Sequence, residues 1–325
     1  MWTTISTSFL VERSYVLLIM GSVEVKQKKM LRRSMCRRQQ QQRDFVALFQ
    51  SWVSNGAQPS LSTATETMGP GTSLKPVIVV SACLLGRPVA YHGGAARLRV
   101  EPLGLRFIRD ILWTQLQLVD LVPFCPEMQL AGLPAPRSPL RLVRRDATVE
   151  LDLVDATRNK RVPFERPPVK GVRSSVRIIG HDSRTPMIAG MILRSRSPSC
   201  GIGDVRIRTT RTTREKGSCD EEDTSCDGFF VHTWVRQIAA EQQATLTAHS
   251  VGCVAEAGLV IASERHLRVV HLGDTVLEGG SVELQRPLYV ARSASEFLFR
   301  VQSIHQRLLP VVSTEQHLDT ELHRS

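Results

Sequence analysis

The chain has 325 residues, 42% of them hydrophobic, enough to bury the core of one large domain or two modest ones. Its net charge of +11 is concentrated at the front, where the first 76 residues carry ten Lys or Arg against four Asp or Glu. The longest early apolar run, Tyr15 to Met20, falls far short of the roughly 20 residues that span a bilayer, so no membrane segment is expected there. Seven cysteines, an odd number without regular spacing and without a CxxC pair, argue against a disulfide scaffold, a thioredoxin-like redox pair and a zinc ribbon.

Residues 1–72 read as a basic extension, disordered or weakly helical, because Lys26 to Arg43 is a run of Lys, Arg and Gln and Ser51 to Ser73 is rich in Ser, Thr, Gly and Pro. No aromatic residues interleave with the charges as a nucleic-acid stacking platform needs, so a solvated tail or a transit segment is the better reading. The extension is expected to be dispensable, with a start at Met68 sufficient. The compartment is expected to be reducing: the cytoplasm, or mitochondria if the basic leader acts as a targeting segment.

A single α/β domain is expected over residues 73–312, with an inserted loop at 206–227 and a polar tail at 313–325. Val77 to Val80 is a β-branched run that reads as a buried strand, and Cys83 follows its end. Leu103 to Leu116 sets Phe107, Ile108, Ile111, Leu112 and Leu116 on one helical face, as a βαβ crossover requires. The run Leu118 to Val122 leads to Cys125 and a loop stiffened by Pro123, Pro126, Pro134, Pro136 and Pro139. Arg141 to Val154 alternates like an edge strand or hairpin, Val172 to His181 reads as a strand or short helix, and Met187 to Leu193 precedes Cys200. Phe230, Val231, Trp234, Val235 and Ile238 mark an amphipathic helix, followed by an expected strand at Ala244 to His249. Short strands around a Gly279-Gly280 turn and a final helix from Ala294 to Leu309 complete the pattern.

Cys83, Cys125 and Cys200, 42 and 75 positions apart, would converge if their strands lie parallel, because the carboxyl ends of such strands line one crevice. From the residues alone they could be small buried apolar groups, ligands of an iron-sulfur cluster, or a nucleophile paired with His181-Asp182, His232 or His249. Cys36, Cys219, Cys226 and Cys253 lie outside these turns and are read as non-ligands.

The segments Ser81-Ala82-Cys83-Leu84-Leu85-Gly86, Val122-Pro123-Phe124-Cys125-Pro126-Glu127, Gly132-Leu133-Pro134-Ala135-Pro136-Arg137 and Ser197-Pro198-Ser199-Cys200-Gly201 resemble, in that order, the motifs of the thiouracil desulfurase family. Gly228-Phe229-Phe230 and Asp155-Ala156-Thr157 are weaker echoes. The resemblance covers roughly residues 76–250. It implies a Rossmann-like domain, a mostly parallel sheet flanked by helices, with a 4Fe-4S cluster at the strand carboxyl ends on Cys83, Cys125 and Cys200. It also implies Glu127 and Ser197 as catalytic residues and non-redox desulfuration of a thiolated pyrimidine base or nucleoside. Partners implied are that small molecule and the iron-sulfur assembly machinery, with thiouridine in RNA as an alternative substrate and a metal-stabilised binding module as the non-enzymatic alternative. The sequence departs from the family pattern at Ala90-Tyr91-His92-Gly93, where Arg-Tyr-Asp-Gly is usual, and at Leu140 and Arg141, where an acidic residue normally follows Pro139. The stretch from Glu127 to Gly132 is one residue longer, and the insertion after Cys200 is unusual.

Overall fold

A computed structural model describes residues 39–40, 43–50, 52, 75–145, 151–164, 188–210, 225–249, 257–268 and 287–322. Val172 to His181, the Gly279-Gly280 turn, and Cys36, Cys219 and Cys253 lie outside them. Two sheets organise the rest. The first contains β1 (Val77–Ser81), β2 (Asp120–Phe124), β6 (Gly190–Leu193), β9 (Leu259–Ser263) and β10 (Leu288–Val290), in the order β10-β9-β6-β1-β2 with every pair parallel. The second contains β3 (Leu140–Arg145), β4 (Leu151–Asp155), β5 (Lys160–Arg161), β7 (Val205–Thr210) and β8 (Ser225–Cys226), in the order β5-β4-β3-β7-β8. Its pairs are antiparallel except β3 with β7.

The parallel sheet follows from its sequence. Every residue of β1, β6 and β9 is buried, as continuous apolar strands covered on both faces must be. On one face Val77, Val79, Met191, Leu193, Leu259 and Ile261 pack with Phe230, Val231, Trp234, Val235 and Ile238 of α3, which runs from a π-turn at Val231–Val235 into Arg236–His249. On the other, Gly190 lies under α4 (Ala294–Leu322), where a Cβ would stand 2.7 Å from Val301 Cγ2 and 2.9 Å from Phe297 Cζ. Pro123 is tolerated inside β2 because β2 is an edge strand. The crossover helix α1 opens at Leu103–Arg106 and continues as a π-helix over Phe107–Gln115, burying Phe107, Ile108 and Leu112 and leaving Leu116 exposed. The architecture is α/β with a mostly parallel sheet flanked by helices.

Several expectations change. The strand expected at Ala244 to His249 is the end of α3, and the strand lies at Leu259–Ser263. Ile238, Gln242 and Leu246 prolong the buried helical stripe, and Thr245 and Thr247 donate to the carbonyls of Glu241 and Gln243, four residues back, which accommodates β-branched residues in a helix. Gln242 is buried but satisfied: Oε1 accepts from Ile188 N at 3.1 Å and Nε2 donates to the carbonyls of Ile188 and Gly258. Residues 206–210 of the expected insertion belong to β7, and Ser225–Cys226 pairs with its start. The expected tail at 313–322 continues α4. The Arg141 to Val154 alternation is an antiparallel hairpin, β3 with β4.

Leu48 and Trp52 are both buried, and Gln302 Nε2 donates to the Trp52 carbonyl at 2.8 Å, so two residues of the expected extension belong to the compact unit Leu48–Ser325. Trp52→Ala is expected to destabilise the protein by about 3–5 kcal/mol, the usual cost of emptying a buried aromatic site. The urea midpoint should fall accordingly, and a chain starting at Met68 should lose at least as much. An unchanged midpoint in both would restore the dispensable reading.

Candidate active site

Renumbered within the parallel sheet, the strand order is 2-1-3-4-5, which reverses between β1 and β6. Ligands of doubly wound sheets bind outside the carboxyl ends of the strands at that reversal. The three cysteine turns sit there: Cys83 just after β1, Cys125 just after the neighbouring β2, and Cys200 in the loop that leaves β6.

Each turn is fixed by its own backbone. Ala82–Leu85 forms a 3-10 turn closed by Gly86, whose φ of 82° suits glycine, and the Cys83 carbonyl accepts from Ala96 N at 3.0 Å. Cys125 is the N-cap of the one-turn helix α2 (Pro126–Gln129), which has proline at its first position, and its backbone N–H donates to Gln129 Oε1 at 2.7 Å. The Cys200 loop is held from outside by Gly228, Phe229 and Phe230, whose N–H groups donate to the carbonyls of Gly201, Pro198 and Ser199 at 2.8–2.9 Å. A Cβ on Gly228 would stand 2.5 Å from the Ser199 carbonyl oxygen, which explains glycine at the entrance to α3.

The thiols share one electrostatic environment. Burial first, then the charges of Cys125, Glu127 and Glu264, push Cys83 up to about 12, with Arg194 pulling the other way. Burial also raises Cys125, and it raises Cys200 well above the ordinary thiol, assisted there by Glu127, Cys125 and Cys83. Ser81 hydrogen-bonds the Cys200 side chain and opposes that rise. Cys226 is raised to about 11 by burial and Asp227 and takes no part in this group; its thiol donates to the Asp227 carbonyl. His232 is exposed on α3, and no histidine stands among the groups acting most strongly on the three thiols. His181-Asp182 and the His249 side chain lie outside the described residues.

Glu127 is pinned at both oxygens. Arg137 donates to Oε2 from Nε, at 3.0 Å, and from Nη2, while Ser199 Oγ donates to Oε1 at 2.8 Å. Arg137 spends its remaining terminal nitrogen on the carbonyls of Val89 and Pro134, and its backbone N–H donates to the Tyr91 carbonyl. One arginine thus ties the atypical Ala90-Tyr91-His92-Gly93 turn and the proline loop to the carboxylate. Ser197 Oγ accepts from Ser199 N at 3.3 Å and Cys200 N at 3.2 Å, shaping the cysteine loop. Sequence reading passed over Ser199, whose only signal was to be the second serine of Ser-Pro-Ser-Cys, and saw Arg137 only as part of a motif. Asp155, whose Oδ1 accepts from Thr157 N and Arg158 N, holds the turn between β4 and β5.

The 2-thiouracil desulfurase family matches residues 78–241, 164 of the 325 residues and hence half of the chain. Among solved structures the chain is similar to the 4Fe-4S-dependent thiouracil desulfidase TudS, with 28% identity over 50% of this chain and 87% of that one and a TM-score of 0.32. No curated protein matches. Because the family match extends over half the chain and spans all three cysteine turns together with Glu127 and Ser197, the protein belongs to the 2-thiouracil desulfurase family.

Proposed function

We propose that the protein is a desulfurase that converts the C=S of a thiolated pyrimidine base or nucleoside to C=O without net redox change, using a 4Fe-4S cluster on Cys83, Cys125 and Cys200. The observation that supports this most directly is the meeting of one buried and two partly buried thiols with one pinned carboxylate at the reversal of the parallel sheet. The donor set fits the cluster. The three thiols are free and close enough to shift one another, and iron-sulfur clusters take sulfur ligands. Loading is expected to release protons, since buried neutral thiols must become thiolates.

Cys83, Cys125 and Cys200 would hold the 4Fe-4S cluster, which would supply a Lewis acid toward a thione sulfur. The chain supplies the proton handling. Of about four acceptor positions on a carboxylate, Arg137 and Ser199 take three on Glu127, leaving one on Oε1 to accept a proton from water. The Ser197 oxygen accepts two N–H bonds, so its own O–H remains a donor toward the base. The balance is one water consumed and one hydrogen sulfide released.

Anaerobically purified protein given 2-thiouracil, 4-thiouridine or thiolated RNA, with no reductant, is expected to release sulfide and the oxo product in equal amounts from the base or nucleoside. A need for stoichiometric reductant would overturn the hydrolytic reading, and turnover confined to RNA would overturn the small-molecule one.

A further inference from the structure

Two carboxylates act on the thiols, Glu127 and Glu264, and each is paired with an arginine. The pairs are built differently. The Arg137 side chain is 7% exposed and all its nitrogens donate within the protein. Arg194 is 29% exposed against 2% for Glu264, and among the described residues only its Nη1 is engaged, to Glu264 Oε1 at 2.8 Å. The carboxylate is turned inward, where Ser195 N at 2.6 Å, Ser195 Oγ and Ser263 Oγ also donate to it. The guanidinium is left facing out with Nε and Nη2 to offer.

Its position follows from the sheet. Arg194 is the first residue after β6, and its N–H donates at 3.1 Å to Oγ of Ser81, the last residue of β1 and two before Cys83. Glu264 is the first residue after β9, the next strand over. The pair therefore lies along the crevice at the strand carboxyl ends, and its charges are felt at the Cys83 sulfur. A partly exposed fork held by a buried carboxylate is pre-organised to donate to an acceptor atom of a bound ligand.

We propose that Arg194 is a specificity-determining residue: held by Glu264 beside the three cysteine turns, it donates to a ring carbonyl of the substrate and selects thiolated heterocycles that carry a second acceptor besides the sulfur. The proposal rests on the desulfurase reading and adds the substrate feature that is recognised. Glu264, outside the family match, acts through Arg194 as a positioning residue.

The test compares 2-thiouracil with pyrimidine-2-thione, which lacks the ring carbonyl, and measures uracil binding by calorimetry on the cluster-loaded protein. Wild-type protein is expected to prefer 2-thiouracil in kcat/KM by about 10-fold to 100-fold, the range of one hydrogen bond to a charged group. In Arg194→Met the preference should fall to within about 3-fold and the Kd for uracil should rise about 10-fold to 100-fold, with iron content and visible absorption retained. Glu264→Gln should weaken uracil binding in the same direction by less. If Arg194→Met loses its iron, Arg194→Lys decides, since it keeps the charge without the fork: a reduced preference supports the proposal and an undiminished one overturns it. Preference and uracil affinity unchanged in an iron-replete Arg194→Met protein overturn it as well. Failure of wild-type protein to turn over any thiolated base while binding uracil would sink the desulfurase reading and leave the Arg194 contact standing.

Discussion

Replacing Cys83, Cys125 or Cys200 with alanine is expected to remove bound iron, visible iron-sulfur absorption and desulfuration together, while Cys226→Ala leaves all three in place. Among the described residues three thiols share this environment, so losing one removes a third of the proposed ligand set. The change costs little in packing, because cysteine and alanine are both small buried residues, so the thermal midpoint of the cluster-free protein should barely move. That separates loss of ligation from loss of fold. Cys226 serves as the internal control, since its neighbours are Asp227 and Arg144 and it sits in β8 of the second sheet. Iron and sulfide analysis after anaerobic reconstitution checks the result, and uptake of zinc alone by the wild-type chain would refute the cluster.

What could be read from the sequence was what lies close along the chain. The run Val77 to Val80 reveals its strand because a parallel sheet covered on both faces demands unbroken apolar sequence, and Leu118 to Val122, interrupted by Asp120, overlaps the start of the edge strand β2. The site's supporting contacts connect residues too distant to leave a local pattern. Ser199 meets Glu127 across 72 positions, Arg194 meets Glu264 across 70, and Gln302 meets Trp52 across 250. The second sheet was hidden for a related reason: β7 pairs parallel with β3, Leu142 opposite Ile207, far apart along the chain, and its sequence, charged at alternate positions, resembles a surface loop. Serine is a turn former in either setting, so the sequence could not assign the two serines of the Cys200 loop to different jobs. In the structure one shapes the loop and the other holds the carboxylate.

Glu127→Gln is expected to leave cluster content and fold intact while desulfuration falls by about 100-fold to 10,000-fold, the usual worth of a positioned general base. The substitution is close to isosteric, and its contacts can be kept. With the amide oxygen toward Arg137, two N–H donors are still received, and the amide NH2 then faces Ser199, whose hydroxyl turns to accept instead of donate. What disappears is the negative charge and the last acceptor position toward water, the two properties the proton transfer requires. Arg137 is left without its counter-ion, but it retains the Val89 and Pro134 carbonyls. A modest fall in stability is therefore expected, measured by denaturant titration separately from rate. Glu127→Asp provides the opposite control: the charge stays but the carboxylate withdraws by one methylene from Ser199 and Arg137, so it should recover part of the lost rate. Full activity in Glu127→Gln would remove the residue from the chemistry. Loss of the cluster in Glu127→Gln but not in Glu127→Asp would make its charge a support for ligation and not for proton transfer.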